Sequence, residues 1–468
     1  MNAQRIGLWA GLGVFVTMLL VPNPESMSAQ AWHVAALTIL MATWWMTQAI
    51  PLTATALLPF LALPTMGVMT TAETASEYYS PILFLILGGA FLALAIERVG
   101  LHKRLALAII GLSGKSAWGI LFAFMIATAL LSMLISNTSA TLIMVPIALA
   151  VLVAGGVRDG ETEGFAGALI MGVAFAASIG GLGTLVGSPT NAIAVGLLNK
   201  TLGMQIDFVD WLKFGLPIVI VGIPVSAGIL IAVQKIGRHS FDGVKARNVI
   251  GASGPWSVPE KRLVPVVAIV ILGWLLLPEI KNYFPESALH DGSVAIFGGL
   301  LLFMLPDGTG RKLLNWDEAD RAPWGVIMMF GGGLALAAGI IESGLADWLG
   351  LMLEPLKSVP VIVIAIALVA LVILVTEFAS NVATASGVMP VVASLILATG
   401  VDPVLLAVPA AMAASWGFML PSGTGPNAIA WATGHIELPK MLKSGFLLDL
   451  AGIPIIIGCI WIVSIVTS

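Results

Sequence analysis

The chain has little charge. Asp, Glu, Lys and Arg together make up 10% of its 468 residues, whereas a soluble domain carries about 25%. Apolar stretches of about 20 residues, long enough to cross a bilayer, recur from one end of the sequence to the other. The short segments of alternating hydrophobicity that a membrane β-barrel needs are not found. The composition therefore predicts an all-α polytopic membrane protein with no sizeable soluble domain.

Groups that carry enzymatic chemistry are also scarce. The single cysteine, Cys459, excludes an intrachain disulfide. None of the five histidines has metal-ligand spacing with another, and no nucleophile-elbow, Walker or zinc motif is present. We therefore predict that the protein is not an enzyme, and we expect no nucleic-acid partner. An intramembrane enzyme, or a subunit of a sodium-pumping complex, is the alternative from another functional class.

The apolar stretches predict about eleven transmembrane helices and two re-entrant hairpins. The predicted spans are Ile6–Val21, Ala31–Gln48, Leu52–Val68, Pro81–Ile96, Phe165–Leu198, Phe214–Val233, Val264–Leu277, Val294–Leu305, Trp324–Ile341, Pro403–Ala432 and Gly445–Val466, and the hairpins are Ala117–Val153 and Val359–Leu397. Alternating the loops leaves only four of the 21 basic residues on the second side: Lys200, Lys213, Lys281 and Lys357. This bias predicts a plasma-membrane protein with its N-terminus in the cytoplasm and its C-terminus outside.

An internal repeat relates the two halves of the chain. An offset of 244 residues carries Ser136-Asn137 to Ser380-Asn381. An offset of 236 residues carries the segment GSPTNAIA, which begins at Gly187, to GTGPNAIA, which begins at Gly423. The number of predicted spans between equivalent points is odd, so the halves have opposite orientations. Such inverted-topology repeats are a frequent plan of secondary transporters.

The repeat produces four polar breaks in apolar helices, two in each half. A break frees backbone N–H groups, which suit an anion, and C=O groups, which suit a bare cation such as sodium. Asn, Ser and Thr side chains serve either ligand. No Arg or Lys lies in any of the breaks, so a bound anion needs another source of positive charge in a low-dielectric site. We therefore expect an anionic substrate to be carried together with cations.

These motifs resemble the divalent anion/sodium symporter family, whose members carry dicarboxylates, citrate or sulfate. The likeness covers most of the chain and includes the two hairpins, the two broken helices and the segment Thr376–Asn381. It implies a homodimer in which a fixed scaffold holds a transport domain that moves like an elevator. The implied boundaries are 1–114 and 263–357 for the scaffold, 115–234 and 358–468 for the transport domain, and 235–262 for a cytoplasmic linker.

The resemblance also implies where the ligands bind. One co-transported sodium ion would lie at the first hairpin tip, against Ser132, Ser136, Asn137 and Gly187. A second would lie against Thr376, Ala379, Asn381 and Gly423. The substrate would lie between the two tips, against Asn137, Thr138, Ser188, Pro189, Asn381, Val382 and Thr424.

Four residues depart from this pattern or add charge to it. Val382 replaces the hydroxyl that Thr138 supplies in the first half, and Thr190 stands where we expect a proline. Glu377 places an ionisable group inside the second hairpin, either as a functional residue or as a partner for backbone and hydroxyl groups. Asp449 lies near the start of the last predicted span and is interpreted as interfacial.

We therefore predict a secondary active transporter in the lipid bilayer that carries a small dianion inward with sodium. A C4-dicarboxylate such as succinate, malate or fumarate is the leading candidate. The alternatives on the same fold are a dicarboxylate exchanger, a proton-coupled carrier, and a symporter for citrate or sulfate.

Overall fold

The computed structural model describes residues 3–158, 160–236, 241–245, 254–284 and 289–467. Within these ranges the regular secondary structure is helical, apart from one isolated β-bridge between Pro306 and Lys312. Nine of the described helices are long and apolar enough to cross a membrane. The all-α polytopic fold predicted from the sequence is confirmed.

The helices of the first half run from the N-terminus to the segment before the linker. They are α1 (Ala3–Leu20), α2 (Ala29–Thr47), α3 (Leu52–Thr55), α4 (Leu58–Thr65), α5 (Thr71–Glu77), α6 (Pro81–Val99), α7 (Leu101–Ile110), α8 (Ala117–Ser132), α9 (Asn137–Ala154), α10 (Phe165–Gly181), α11 (Pro189–Leu202) and α12 (Phe208–Gln234). The pairs α8–α9 and α10–α11 are the predicted hairpin and broken helix.

The helices of the second half follow the same plan. They are α13 (Val258–Tyr283), α14 (Asp291–Met304), α15 (Trp316–Ala319), α16 (Trp324–Glu342), α17 (Leu345–Leu353), α18 (Val361–Phe378), α19 (Asn381–Thr399), α20 (Pro403–Ala413), α21 (Gly425–Ala432) and α22 (Leu438–Thr467). Three arms of the two hairpins, α9, α18 and α19, are among the nine long helices. The count of eleven spans plus two re-entrant hairpins stays a prediction.

Equivalent positions of the two halves have the same local geometry. Gly100, between α6 and α7, has φ 82°, and Gly344, between α16 and α17, has φ 78°. A side chain rarely adopts this left-handed conformation, so glycine fits both junctions. Ser136 and Ser380 cap α9 and α19 with ψ angles of 149° and 147°. The repeat in the sequence is therefore also a repeat of backbone structure.

The broken helices lie at the centre of the molecule. Every residue of α10 is buried, and α20 is buried from Leu406 to Ala413. A helix that is apolar on all sides needs neighbours on all sides, and α10 packs against α8, α9, α12 and α21. The polar break that follows α10 is thus surrounded by protein, which is the environment that non-helical backbone at membrane depth requires. The break that follows α20 is more open, with Ser422 exposed.

Several predicted boundaries are wrong, and local hydrogen bonding explains why. The predicted span Leu52–Val68 is divided into α3 and α4, because Pro59 has no N–H to donate within a continuous helix. The predicted loop before Pro81 contains α5, which starts with a capping box between Thr70 and Glu73.

Part of the predicted linker 235–262 is helical, and its boundaries stay a prediction. A capping box of Ser257 and Glu260 starts α13 at Val258, so the last five linker residues are helical. Linker residues 237–240 and 246–253 lie outside the described residues.

The last helix is longer than predicted, and this corrects the interpretation of Asp449. α22 begins at Leu438 rather than at Gly445. Asp449 therefore lies about three turns into the helix, and it is only 6% exposed. It is a buried residue of the protein interior and not an interfacial one.

A buried ion pair joins α6 to the loop before α15. The Arg98 guanidinium donates to Asp307, whose side chain is fully buried, and also to the Leu313 carbonyl oxygen at 2.6 Å. Burial alone would raise the pKa of Asp307, but hydrogen bonds from Arg98 and Thr309 more than offset it and hold the pKa well below its usual range. Asp307 is therefore ionised, and Arg98 supplies its counter-charge.

Candidate functional site

The first polar break is the turn between α8 and α9. Ser136 caps α9 by accepting a hydrogen bond from the Ser139 N–H at 3.2 Å. α9 consequently begins at Asn137, followed by Thr138. The structure confirms that the Ser-Asn-Thr tripeptide lies at the tip of a helix–turn–helix.

The second break, between α10 and α11, is folded around this tip. The Thr184 hydroxyl donates to the Met133 carbonyl oxygen at 2.6 Å and accepts from the Gly187 N–H at 3.0 Å. The Asn191 side-chain amide donates to the carbonyl oxygens of Gly181 at 2.7 Å and Thr184 at 2.8 Å. These bonds give the break a defined shape, in which the Gly187 carbonyl lies beside the Asn137 amide.

Oxygen atoms converge on the side chain of Asn137. One terminal atom of its amide lies 2.7 Å from Ser132 Oγ, 3.1 Å from the Gly187 carbonyl oxygen and 3.3 Å from the Ala177 carbonyl oxygen. Ser132 Oγ itself donates to the Ala177 carbonyl at 2.6 Å. If the amide oxygen occupies this position, a cation is needed among the oxygens. If the amide nitrogen occupies it, the nitrogen donates to them instead.

Glycine is required for this convergence. A Cβ atom on Gly187 would lie 2.6 Å from the Gly181 carbonyl oxygen and 2.8 Å from the Ser132 carbonyl oxygen. A Cβ atom on Gly181 would overlap the Asn137 side chain. Both contacts are shorter than real Cβ atoms make, so the oxygens approach one another only because these two positions lack side chains.

The second half repeats the arrangement. The Thr376 hydroxyl donates to the Ala414 carbonyl oxygen at 2.7 Å and lies 3.0 Å from Asn381 Oδ1. Thr424 caps α21 by accepting from the Asn427 N–H at 3.2 Å, and the Asn427 amide donates to the Leu420 carbonyl at 3.1 Å. The hydroxyl–amide–carbonyl group of the first half thus has a counterpart with matching contacts.

Sequence reasoning missed the two alanine carbonyls in these groups. Ala177 and Ala414 each accept the hydroxyl of the predicted sodium ligand, Ser132 and Thr376 respectively. An alanine carries no chemical signal of its own. Its position could have been found from the repeat, because both alanines precede a serine at the end of the helix before the break.

Three other predicted sodium ligands do not join these contacts. The Ser136 hydroxyl serves as a helix cap and lies 3.1 Å from Ser139 Oγ. The N–H groups of Ala379 and Gly423 donate to Val375 at 3.0 Å and Leu420 at 3.1 Å. Neither residue has a described contact with Asn381, so their ligand roles stay predictions.

The predicted substrate residues fall into two groups. Ser188 and Pro189 line a cavity of about 200 Å³ together with Ser136. Arg321, from the loop before α16, lines the same cavity and was not expected there. The other five, Asn137, Thr138, Asn381, Val382 and Thr424, are not among the residues that line it.

One contact joins the two halves at this site. Thr138 lies at the exposed tip of the first hairpin, and its Oγ1 is 2.6 Å from where a Cβ atom on Gly425 would be. Gly425 is the first residue of α21 and follows Thr424. The first tip and the second broken helix therefore meet directly.

The Glu377 side chain stabilises the second break by hydrogen bonding to its backbone. Its carboxylate accepts hydrogen bonds from the Met419 N–H at 2.9 Å and the Leu420 N–H at 3.0 Å. In the first half Met133 occupies the equivalent position and packs against Gly183. The partner to backbone groups, one of the two roles considered for Glu377, is thus observed.

The sequence matches one protein family along nearly its whole length. The profile described as "Sodium:sulfate symporter transmembrane region" covers residues 2–467. The sodium-dependent dicarboxylate transporter SdcS of Staphylococcus saprophyticus is 40% identical over 470 residues, which are 97% of this chain and 90% of that protein. SdcS of Staphylococcus aureus strain USA300 is 40% identical over 475 residues, covering 98% and 91% respectively.

Two solved structures share the fold at low sequence identity. The YdaH transporter of Alcanivorax borkumensis superposes with a TM-score of 0.55 at 15% identity, covering 99% of this chain and 98% of that one. MtrF of Neisseria gonorrhoeae superposes with a TM-score of 0.60 at 14% identity, covering 98% and 95%. At these identities the likeness supports the fold alone.

Proposed function

This chain belongs to the sodium:sulfate symporter family, and we propose that it carries a C4-dicarboxylate inward together with sodium. The two staphylococcal relatives, similar over nearly their whole length, are sodium-dependent dicarboxylate transporters. Their similarity favours succinate, malate or fumarate over citrate or sulfate. It also supports transport, rather than an enzymatic reaction, as the role of this membrane protein.

The convergence of oxygens on Asn137 is the observation that supports sodium coupling best. Sodium is a hard cation that binds oxygen ligands, and the Asn137 amide, the Ser132 hydroxyl and two backbone carbonyls supply four of them. No carboxylate is needed in such a site, because carbonyl dipoles provide the negative field. The second group offers three oxygens of the same kind for a second sodium ion, from the Asn381 amide, the Thr376 hydroxyl and the Ala414 carbonyl.

The substrate is proposed to bind between the tips. The helices α9, α11, α19 and α21 all begin at a polar break, and the N–H groups at each N-terminus carry partial positive charge. These groups, with the side chains of the predicted substrate residues, suit carboxylate oxygens. Since no Arg or Lys lies in the breaks, the positive charge that balances the dianion comes from the sodium ions and from Arg321 beside the cavity.

The remaining architecture is part of the same proposal. The two halves form inverted-topology repeats, and the segments 115–234 and 358–468 form a transport domain that moves like an elevator against a scaffold in a homodimer. The matching glycine junctions at Gly100 and Gly344 support the repeat. The distribution of basic residues supports a plasma-membrane protein with a cytoplasmic N-terminus.

One observation favours an exchanger as the second candidate. If the Asn137 amide nitrogen faces Ser132, Gly187 and Ala177, its N–H groups donate to these oxygens without any cation. In a carrier with this arrangement, the hydrogen bonds at the first hairpin tip are made without sodium. It would exchange one dicarboxylate for another without sodium dependence.

Uptake into proteoliposomes distinguishes the two candidates. Radiolabelled succinate is supplied outside with an inward sodium gradient or an equal potassium gradient, with and without internal succinate. Uptake that requires sodium supports the symporter. Equal uptake in both gradients, dependent on internal succinate, shows exchange and contradicts sodium coupling.

Alanine variants locate the site within the same assay. We expect Asn137→Ala and Asn381→Ala to abolish uptake, because each removes an amide that serves a cation and the anion. Asn199→Ala is the matched control, since Asn199 bonds to the Ile206 backbone near the end of α11, away from both tips. Near-normal uptake by either tip variant would contradict the proposed site.

A further inference from the structure

One face of α11 packs against helices of the predicted scaffold. α11 contacts α6 and α16, and a Cβ atom on Gly196 would lie 2.3 Å from the Phe330 ring and 2.9 Å from the Ile82 side chain. Lys200 lies one turn further along the same face. There its ammonium group forms an ion pair with Glu77, the last residue of α5. The end of α11 is therefore held to the scaffold both by close packing and by charge.

A second contact at this end involves Phe208, the first residue of α12. Its N–H donates to the buried Asp291 carboxylate at 2.8 Å, and its ring stacks on Trp274 with the centroids 4.7 Å apart. Trp274 and Asp291 belong to α13 and α14 of the predicted scaffold. Two polar contacts thus join the predicted transport domain to the scaffold. Both lie at one cavity of about 620 Å³, which Glu77, Lys200 and Asp291 line.

At the opposite end of α11, a cavity lies between the two predicted domains. Ser188, which caps α11, lines the cavity of about 200 Å³ that Arg321 of the scaffold also lines. Ser188 and Lys200 are about 18 Å apart along the helix axis. The ion pair of Arg98 with Asp307 joins two scaffold residues to one another. The interface is therefore closed by polar contacts at the Lys200 end and more open at the Ser188 end.

The distribution of basic residues predicts which end faces the cytoplasm. Lys200 is one of the four basic residues on the predicted outer side, whereas Arg98 and Arg321 are on the predicted cytoplasmic side. On this basis, the predicted substrate residue Ser188 borders a cavity on the cytoplasmic side. The contacts of Lys200 and Phe208 close the interface on the outer side.

We propose that the Glu77–Lys200 ion pair and the contacts of Phe208 with Trp274 and Asp291 form an outer gate, which holds the carrier in an inward-facing state and separates each time the site turns outward. This inference rests on the proposed function for its division into scaffold and transport domain. The ion pair is partly exposed, with 18% of the Glu77 side chain and 36% of the Lys200 side chain accessible. Water can therefore replace it at low cost, whereas a fully buried pair would resist separation.

Thiol labelling of the purified full-length protein tests the outer gate without any transport. Cys459→Ser removes the one native thiol, and Leu334→Cys places a reporter on α16, at a residue that is 1% exposed and lines the outer cavity. We expect maleimide to label this reporter about two- to fivefold faster in Glu77→Gln and in Lys200→Gln. The double variant should be no faster than either, because both changes remove the same contact. Wild-type labelling rates in both single variants would overturn the outer gate.

Two further variants make the labelling test specific to the ion pair. Exchange of the charges, by Glu77→Lys together with Lys200→Glu, should restore slow labelling. Lys213→Gln, which removes an exposed pair with Asp210 within α12, is the matched control and should leave the rate unchanged. A charge exchange that labels as fast as the single variants would show that the ion pair does not hold the interface closed.

A covalent link tests whether the contact must separate during transport. Glu77→Cys with Lys200→Cys, in the Cys459→Ser background, is cross-linked with a short bis-maleimide, and each single-cysteine variant treated with the same reagent is the control. We expect succinate uptake into proteoliposomes to be lost only in the cross-linked protein. Uptake at the control rate after cross-linking would overturn the outer gate. Absence of uptake even from the untreated proteins would instead contradict the proposed function, and the labelling result does not depend on it.

Discussion

Ser132→Ala probes the first cation site with the smallest possible change. Ser132 Oγ lies 2.6 Å from the Ala177 carbonyl oxygen and 2.7 Å from the Asn137 amide. Its loss leaves buried polar groups without a partner, which costs about 1–3 kcal/mol. If the same free energy is lost from sodium binding, the affinity for sodium falls about 5- to 150-fold. We expect the sodium concentration for half-maximal succinate uptake to rise by a factor in this range.

Thr128→Ala is the matched control for this prediction. Thr128 is also buried in α8, one turn before Ser132, and its hydroxyl donates to the Phe124 carbonyl of its own helix at 2.7 Å. Uptake should show the wild-type sodium dependence. Thermal unfolding of both variants separates an effect on folding from one on sodium. A lower Tm for Ser132→Ala with unchanged sodium dependence would refute the cation site and leave the hydroxyl a structural role.

Two further predictions concern close packing and the buried ion pair. Gly187→Ala should abolish uptake and lower the Tm, because its Cβ meets backbone oxygens at 2.6 Å and 2.8 Å. Gly423→Ala, whose Cβ has a nearest contact of 3.4 Å, should fold normally. Equal Tm values for the two variants would contradict this difference. Arg98→Ala should cost about 3–5 kcal/mol of unfolding free energy, because it leaves Asp307 buried and charged. Because the pKa of Asp307 is depressed in the folded protein, the full loss of unfolding free energy should be seen above about pH 4 and should shrink as the pH falls further. Denaturation of the variant and the wild type at neutral and acid pH would measure this.

The tips of the site could be predicted from the sequence because their signals are local. A serine followed by a helix-forming run, as at Ser136 and Ser380, is a helix start wherever the chain places it. The offset between these serines then identifies the second tip from the first. A local signal also explains the error at Leu52–Val68. The apolar residues predict one continuous span, whereas the proline at position 59 interrupts the helix.

The contacts around the tips depend on tertiary structure, and the repeated Ala-Ser pair is the one sequence signal that pointed to any of them. Ala177 and Arg321 contribute to the site only because distant segments pack together. The burial of Asp449 depends on where α22 begins, seven residues before the predicted start. A boundary error of two turns was enough to move this acid from the membrane surface into the interior.

The contact between Thr138 and Gly425 has a consequence for biosynthesis. The hairpin α8–α9 and the buried helix α10 are translated long before α21, yet both α9 and α10 pack against it. Until the ribosome has made the last quarter of the chain, the central helices of the first half have an unfilled face within the membrane. In the nascent chain, this unfilled face must therefore stay exposed or be covered by other groups. A fragment ending at the linker would insert but would lack the helix that packs on this face.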